Sequence, residues 1–221
     1  MNDPPPHHND HHEVDDPTFG AAPEVGVDVR SYGGPASAPV QDVLDRMTRV
    51  GTRAADDYLQ AVDNVRGQPS EEIVRVVGEA LRNLPESEYL SRWGLVQVLN
   101  DIAVPGTEAV FRDTIETSMP PERGTGSDYK MPTLAREVLI RMAAVDGLAK
   151  LAADGSSEAV DILTANVTNP ERNVRLSCIV ALNELGGEAS ELGRARVLEE
   201  DRELQDLRRV SVYDVPQPAG G

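Results

Sequence analysis

The sequence has very little of the chemistry that most enzyme active sites need. All four histidines lie within the first 12 residues, and the 221-residue chain contains one cysteine, Cys178. From Glu13 onward there is consequently no imidazole for a Ser-His-Asp triad, a Cys-His pair or a histidine-ligated zinc ion. The nucleotide-binding pattern Gly-x-x-x-x-Gly-Lys-Ser/Thr is absent as well. These absences predict that the protein is not an enzyme and uses no cofactor.

Aromatic residues and long apolar runs are also scarce. Phe, Trp and Tyr together make up 4% of the chain, and no stretch reaches the roughly 20 apolar residues of a membrane span. Sandwiches and barrels of β-strands normally use more aromatic and β-branched residues, so this composition favours close-packed helices. The first residues also lack the basic start and the apolar core of a signal peptide. We therefore expect a soluble, cytoplasmic protein that does not bind a membrane.

Basic residues are too few to balance the acidic ones. The chain has 38 Asp and Glu against 21 Lys and Arg, a net charge of −17, and its longest basic run is Arg208-Arg209. A surface of this charge repels phosphate groups, so we expect no binding to nucleic acid. The excess of negative charge has two interpretations: it attracts a basic protein partner, or it only keeps the protein in solution.

Composition divides the chain into three parts. Residues 1–38 are rich in Pro, Gly and acidic residues and have no apolar periodicity, which predicts a disordered acidic tail. Residues 39–209 have helical periodicity and form the predicted domain, and residues 210–221 are a second, short tail. The first tail holds the candidate ligands of a flexible metal site, His7, His8, His11 and His12. The alternative for these histidines is a solvated tail of biased composition.

The predicted domain is a series of amphipathic helices. Apolar residues recur every three or four positions from Val40 to Val65, and again in later segments separated by Pro and Gly. One boundary is Asn169-Pro170, which predicts an N-cap followed by proline in the first turn. Another is Gly186-Gly187, which is typical of the end of a helix. From about Ser190 to Arg209, a charged sequence with a thin apolar stripe predicts one last helix that covers the end of the domain.

An arginine recurs at the same position of three predicted helices. Arg92, Arg136 and Arg175 are each followed by apolar or small residues three and four, and six and seven, positions later. The arginines are 44 and 39 residues apart, close to the roughly 40–47 residues of HEAT and armadillo units. Such arginines either line a ligand groove or pair with a neighbouring unit, and we favour the pairing.

Residues 169–187 resemble the second-helix signature of HEAT-like repeats. The matching positions are Val174-Arg175, Ala181-Leu182 and Leu185-Gly186, with Cys178 where alanine is usual. The resemblance covers about residues 70–187 and is most complete in this last unit. It implies an all-α fold, a HEAT-like α-solenoid of about four helix pairs, and a non-enzymatic scaffold or adaptor for protein–protein interaction.

Three other functions stay open beside the scaffold. Some HEAT-like proteins resemble bilin lyases, so one alternative is an enzyme or a chromophore-handling protein, which would be purified with bound colour. The net charge of −17 motivates the second, an immunity-type binder that neutralises a basic toxin. The third, a HEAT-like DNA glycosylase, needs a basic concave surface and would retain DNA in a salt-sensitive way.

The predicted loop from Met119 to Pro132 is the main candidate for partner contact. A loop of this length inside a compact repeat is unusual, and such loops often make functional contacts. The side chains most able to anchor a partner are Asp128, Tyr129 and Lys130. A tolerated insertion is the alternative interpretation. The apolar helix face around Cys178 predicts a buried thiol and not a nucleophile.

Overall fold

The computed structural model describes residues 26–47, 49, 53–123 and 133–209. Across these ranges all regular structure is helical and no strand occurs, which confirms the all-α prediction. The described residues form nine α-helices: α1 (Ser37–Met47), α2 (Ala54–Arg66), α3 (Ser70–Asn83), α4 (Tyr89–Ile102), α5 (Thr107–Glu116), α6 (Thr133–Ala153), α7 (Ser157–Ala165), α8 (Arg172–Leu185) and α9 (Gly187–Arg194). They also form three short 3-10 helices, Val29–Tyr32, Asn166–Thr168 and Glu199–Leu204.

Helices α4, α6 and α8 form the centre of the fold. α6 packs against both α4 and α8, and also against α5 and α7. The aligned arginine is the fourth residue of each of the three central helices. Arg92 at the start of α4 contacts Glu137 at the start of α6, and Lys150 near the end of α6 contacts Asn100 near the end of α4. These two helices therefore run in the same direction.

Helix α6 is longer than the helices on which it packs. It has 21 residues, whereas α4 and α8 have 14 each. Since the aligned arginine is the fourth residue in all three, residues 147–153 are an extension of about two turns, or roughly 10 Å. Gly147 begins this extension and permits a close approach to α5, because a Cβ there would lie 2.3 Å from Cζ of Phe111.

The folded part begins earlier than the predicted boundary at residue 38. Val27 and Val29 are buried in the common core. The N–H of Val29 donates to Oε1 of Gln41 at 2.8 Å, which attaches the 3-10 helix Val29–Tyr32 to α1. The predicted boundary rests on helical periodicity, and one 3-10 turn is too short to have a period.

The predicted single helix from Ser190 to Arg209 is wrong. α9 ends at Arg194, and the chain continues through the 3-10 helix Glu199–Leu204 into an irregular segment at residues 205–209. This break in the helix places the fully buried Asp201 beside two arginines of α8. A buried charge must be paired. Pairing Asp201 with these arginines requires a break in the helix that the apolar stripe predicts.

The predicted N-cap of α8 is displaced by two residues. α8 begins at Arg172, and its N-cap is Glu171, whose side chain accepts a hydrogen bond from the N–H of Asn173 at 3.2 Å. Oδ1 of Asn169 instead accepts from the N–H of Glu171 at 2.9 Å and forms the turn before the helix. The predicted end of the helix is confirmed, because α8 ends one residue before Gly186, whose φ is 72°.

Candidate functional site

The partner and metal residues predicted from the sequence lie outside the described part of the chain. Asp128, Tyr129 and Lys130 belong to residues 124–132, and His7, His8, His11 and His12 belong to residues 1–25. Next to the first of these ranges, the carboxylate of Glu122 accepts hydrogen bonds from the N–H groups of Thr133 and Leu134 at 3.1 Å each, at the start of α6. Because the structure does not describe either set of residues, their roles in partner and metal binding stay predictions.

Arg92 forms a buried ion pair between α4 and α6. Its Nη1 and Nη2 donate to the two carboxylate oxygens of Glu137 at 2.7 and 3.2 Å. Arg141, one turn later on α6, lies 3.5 Å from the same carboxylate and donates to the carbonyl oxygens of Ile115 and Thr117 at the end of α5. Burial lowers the pKa of Arg141, and the charge of Glu137 opposes this shift. One carboxylate thus joins three helices.

The other aligned arginines also contact neighbouring segments. Arg136 lies over the ring of Tyr89 at the start of α4, 5.7 Å from its centroid. Arg175 donates from Nε to Asp201 at 2.7 Å and from Nη2 to Glu200 at 2.5 Å. These contacts agree with the pairing interpretation, since all three arginines connect one helix to another part of the fold.

A groove crosses the domain at the ends of α4, α6 and α8. It consists of two adjoining cavities of about 620 and 380 Å³. Asn100 of α4 and Lys150 and Ala153 of the α6 extension line both cavities, so the two form one continuous surface. Tyr58 and Leu59 of α2 line the larger cavity, and α8 lines the smaller one. We call this surface the α6 groove.

The α6 groove carries a small excess of negative charge. Four carboxylates line it, those of Asp101, Asp146, Asp154 and Glu184. Three cationic side chains are also present: Arg66 and Lys150, which donate hydrogen bonds to backbone carbonyl oxygens in the last turn of α4, and Arg209 of the segment 205–209. The C-terminal ends of helices carry partial negative charge, and α4 and α8 both end at this surface. The side chains thus leave an excess of one negative charge, and the two helix ends add to it.

A short hydrogen bond connects α2 to α4 at the larger cavity. The hydroxyl of Tyr58 donates to Oδ2 of Asp101 at 2.5 Å, and Nζ of Lys150 lies 3.5 Å from Oδ1 of the same carboxylate. Burial raises the pKa of Tyr58, and the hydrogen bond to Asp101 adds to the shift. The phenol consequently stays protonated and remains a hydrogen-bond donor at neutral pH. These three side chains fix the relative positions of α2, α4 and α6.

The irregular segment 205–209 is bound to α8 through its backbone. Nδ2 of Asn183 donates to the carbonyl oxygens of Gln205 and Leu207 at 2.7 and 3.0 Å. Oδ1 of Asn183 accepts a hydrogen bond from the hydroxyl of Ser190 at 2.9 Å, which orients the amide. The amide of one α8 residue thus recognises two carbonyl groups of a non-helical segment.

Arg209, the last described residue, reaches the smaller cavity of the α6 groove. Its guanidinium contacts the carboxylate of Asp146 on α6. Its backbone N–H donates to Oε1 of Glu184 on α8 at 3.2 Å, and its Nε lies 3.8 Å from the same oxygen. Sequence reasoning missed these residues, because no local pattern indicates that Arg209 returns to α6.

Reactive groups are few among the described residues. Cys178 is fully buried, as its apolar helix face predicts, and burial raises the pKa of its thiol. In the same part of the chain, no group of three or more His, Cys, Asp or Glu side chains is placed to hold a metal ion. None of the described helices combines the length and the apolar character needed to cross a bilayer.

The chain was compared with protein-family models, with curated proteins and with solved structures, and no match was found in any of the three. The geometry of the α6 groove is therefore the basis for assigning a function.

Proposed function

We propose that this protein is a non-enzymatic interaction module built from HEAT-like helix pairs, and that it binds another protein in the α6 groove. The observation that carries the proposal is the groove itself, which extends from α2 across α4 and α6 to α8. Sites for small molecules enclose most of their ligand. Leu59 on this surface is 59% exposed, which suits a broad protein contact better than an enclosed substrate.

The order of helix contacts supports the HEAT-like stacking. Helices α3 and α4, α5 and α6, and α7 and α8 contact each other in pairs. Between pairs, α4 contacts α6 and α6 contacts α8, while α3 contacts α5 and α5 contacts α7. In a stack of this kind each pair buries its apolar surface against the next one, and one layer of helices is left to present a continuous face. The α6 groove lies on the layer of second helices.

The chemistry of the groove supports a basic partner. Its carboxylates and helix C-termini attract cations, and the net charge of −17 adds a long-range attraction for a positively charged protein. The exposed Leu59 offers an apolar contact beside these charges. A partner segment with basic and apolar side chains complements both features.

The test is an affinity pull-down from native lysate with full-length baits, read by mass spectrometry. One bait is unchanged, one carries Leu59→Lys in the groove, and one carries Leu192→Lys on α9. The two leucines are 59% and 42% exposed, so both substitutions add a charge at the surface without disturbing the core. We expect a stoichiometric basic partner on the unchanged bait and the Leu192→Lys bait, and its loss from the Leu59→Lys bait, where the apolar contact is replaced by a repelling charge.

Two results would contradict the proposal in different ways. A partner that is retained by Leu59→Lys and lost from Leu192→Lys binds at the α9 end and not in the groove. The absence of any partner from all three baits, repeated at low salt, argues against an interaction module.

A further inference from the structure

The α8 end of the α6 groove already holds a piece of polypeptide from the same chain. Asn183 binds two carbonyl groups of the segment 205–209, and Arg209 places its guanidinium between α6 and α8. A side-chain amide that binds two backbone carbonyl groups and two carboxylates that bind an arginine could hold an external segment in the same way. The protein's own segment thus occupies the end of the surface that we propose for a partner.

The site that holds Arg209 is suited to a cation for two independent reasons. Asp146 and Glu184 supply two carboxylates from neighbouring helices, and both carboxylates contact Arg209. Glu184 also lies in the last turn of α8, where the unpaired carbonyl groups of the helix end add partial negative charge. A guanidinium is therefore stabilised here by fixed charge as well as by hydrogen bonds.

The contacts of Arg209 are weak enough to exchange. The side chains of Arg209, Asp146 and Glu184 are 55%, 43% and 36% exposed. Ion pairs with this exposure are screened by water and salt, and they contribute little to stability. Beyond Arg209 the groove continues along the α6 extension toward Asn100 and Lys150, so a longer ligand gains contacts that Arg209 does not make.

We propose that Asp146 and Glu184 form an arginine-binding site of the α6 groove, and that Arg209 occupies this site as an internal competitor. A partner then binds by inserting its own arginine and displacing Arg209. This inference rests on the proposed function, since it assigns the partner an arginine-bearing segment and adds a means of regulating access. A change that releases the segment 205–209 increases the affinity of the groove.

The test measures binding of a fluorescein-labelled peptide, Gly-Ser-Arg-Gly-Ser-Arg-Gly-Ser-Gly, to the full-length protein by fluorescence polarisation. The variants are Arg209→Gln, which empties the site, and Arg208→Gln, which changes the net charge equally. Asp146→Asn removes a site carboxylate, and Asp161→Asn on α7 is its control, since Asp161 is exposed and does not line the groove. A peptide with glutamine in place of arginine measures binding that does not depend on arginine.

We expect Arg209→Gln to bind the arginine peptide about three- to fivefold more tightly than Arg208→Gln, the upper part of the range for an exposed ion pair. In the Arg209→Gln protein, which has no internal competitor, adding Asp146→Asn should weaken peptide binding relative to adding Asp161→Asn by a similar factor. Equal affinities of Arg209→Gln and Arg208→Gln would overturn the role of Arg209 as a competitor. If no variant prefers the arginine peptide while the pull-down retains its partner, the arginine site is wrong and the proposed function stands.

Discussion

Glu137 is the residue whose loss we expect to destabilise the fold most specifically. Its carboxylate is the only described anion within reach of both Arg92 and Arg141, and its side chain is 4% exposed. The substitution Glu137→Gln keeps the shape of the side chain but removes the charge that compensates these two guanidinium groups. Arg141 keeps its hydrogen bonds to α5 but loses its ion-pair partner, and only the weaker attraction of Glu171 opposes its charge.

The expected cost follows from the burial of the pair. Removing one partner of a buried ion pair costs about 3–5 kcal/mol. Arg92 is 15% exposed and recovers some hydration, so the lower end of this range applies. For a chain of this size, about 3 kcal/mol lowers the melting temperature by roughly 6–12 °C. Urea unfolding followed by far-UV circular dichroism gives the free energy, and calorimetry gives the melting temperature.

The control is Glu158→Gln, which makes the same chemical change at the surface. Glu158 pairs with Arg112 at 3.4 Å, with side chains 56% and 41% exposed. A pair of this kind contributes at most about 1 kcal/mol. If Glu137→Gln costs no more than Glu158→Gln, the reasoning that one carboxylate holds three helices together is refuted.

Three further predictions concern packing, pH and reactivity. Gly147→Ala should lower the free energy of unfolding by about 1–3 kcal/mol despite the better helix propensity of alanine, because the new methyl group collides with the ring of Phe111 on α5. The control Gly67→Ala should not lower it, because no heavy atom lies nearer than 3.5 Å to the added Cβ. Hydrogen bonding from Arg175 lowers the pKa of Asp201 in the folded state. The ionised Asp201 therefore stabilises the fold above the unfolded pKa of about 3.9, and this stabilisation is lost as the pH falls below that value. Urea titrations should show a steeper loss of stability toward pH 3 in the unchanged protein than in Asp201→Asn. Cys178 should react with a thiol reagent only at the rate of unfolding, and rapid labelling of the native protein would contradict its burial.

Local sequence signals predicted helices well where burial follows a regular period. α3 has apolar residues at helical spacing and acidic residues in its first turn, and both features depend only on neighbours along the chain. The end of α8 at Gly186 is a similar case, because the φ of 72° is a local requirement. These elements were accessible to prediction for that reason.

The parts that sequence reasoning missed depend on residues far apart in the chain. The helix predicted from Ser190 to Arg209 is broken because Asp201 pairs with Arg175, 26 residues earlier. The α6 groove depends on how far α6 extends past α4 and α8, and Arg209 reaches Asp146 across 63 residues. One signal was present in the sequence: Asn100 and Asn183 each lie eight residues after an aligned arginine. Nothing local indicated which segments those asparagines would contact.

The greater length of α6 also determines how this surface can change in evolution or design. Helices of equal length would end at the same level, but α6 extends beyond α4 and α8, and its extension lines both cavities of the groove. Each added or deleted turn would move the end of α6 by about 5.4 Å and change the depth of both cavities together. The buried charges around Glu137 lie at the opposite end of the same helix and would keep their positions. The depth of the α6 groove therefore depends on the length of one helix, and a change in that length also changes the core, because Leu148 and Leu151 of the extension are buried.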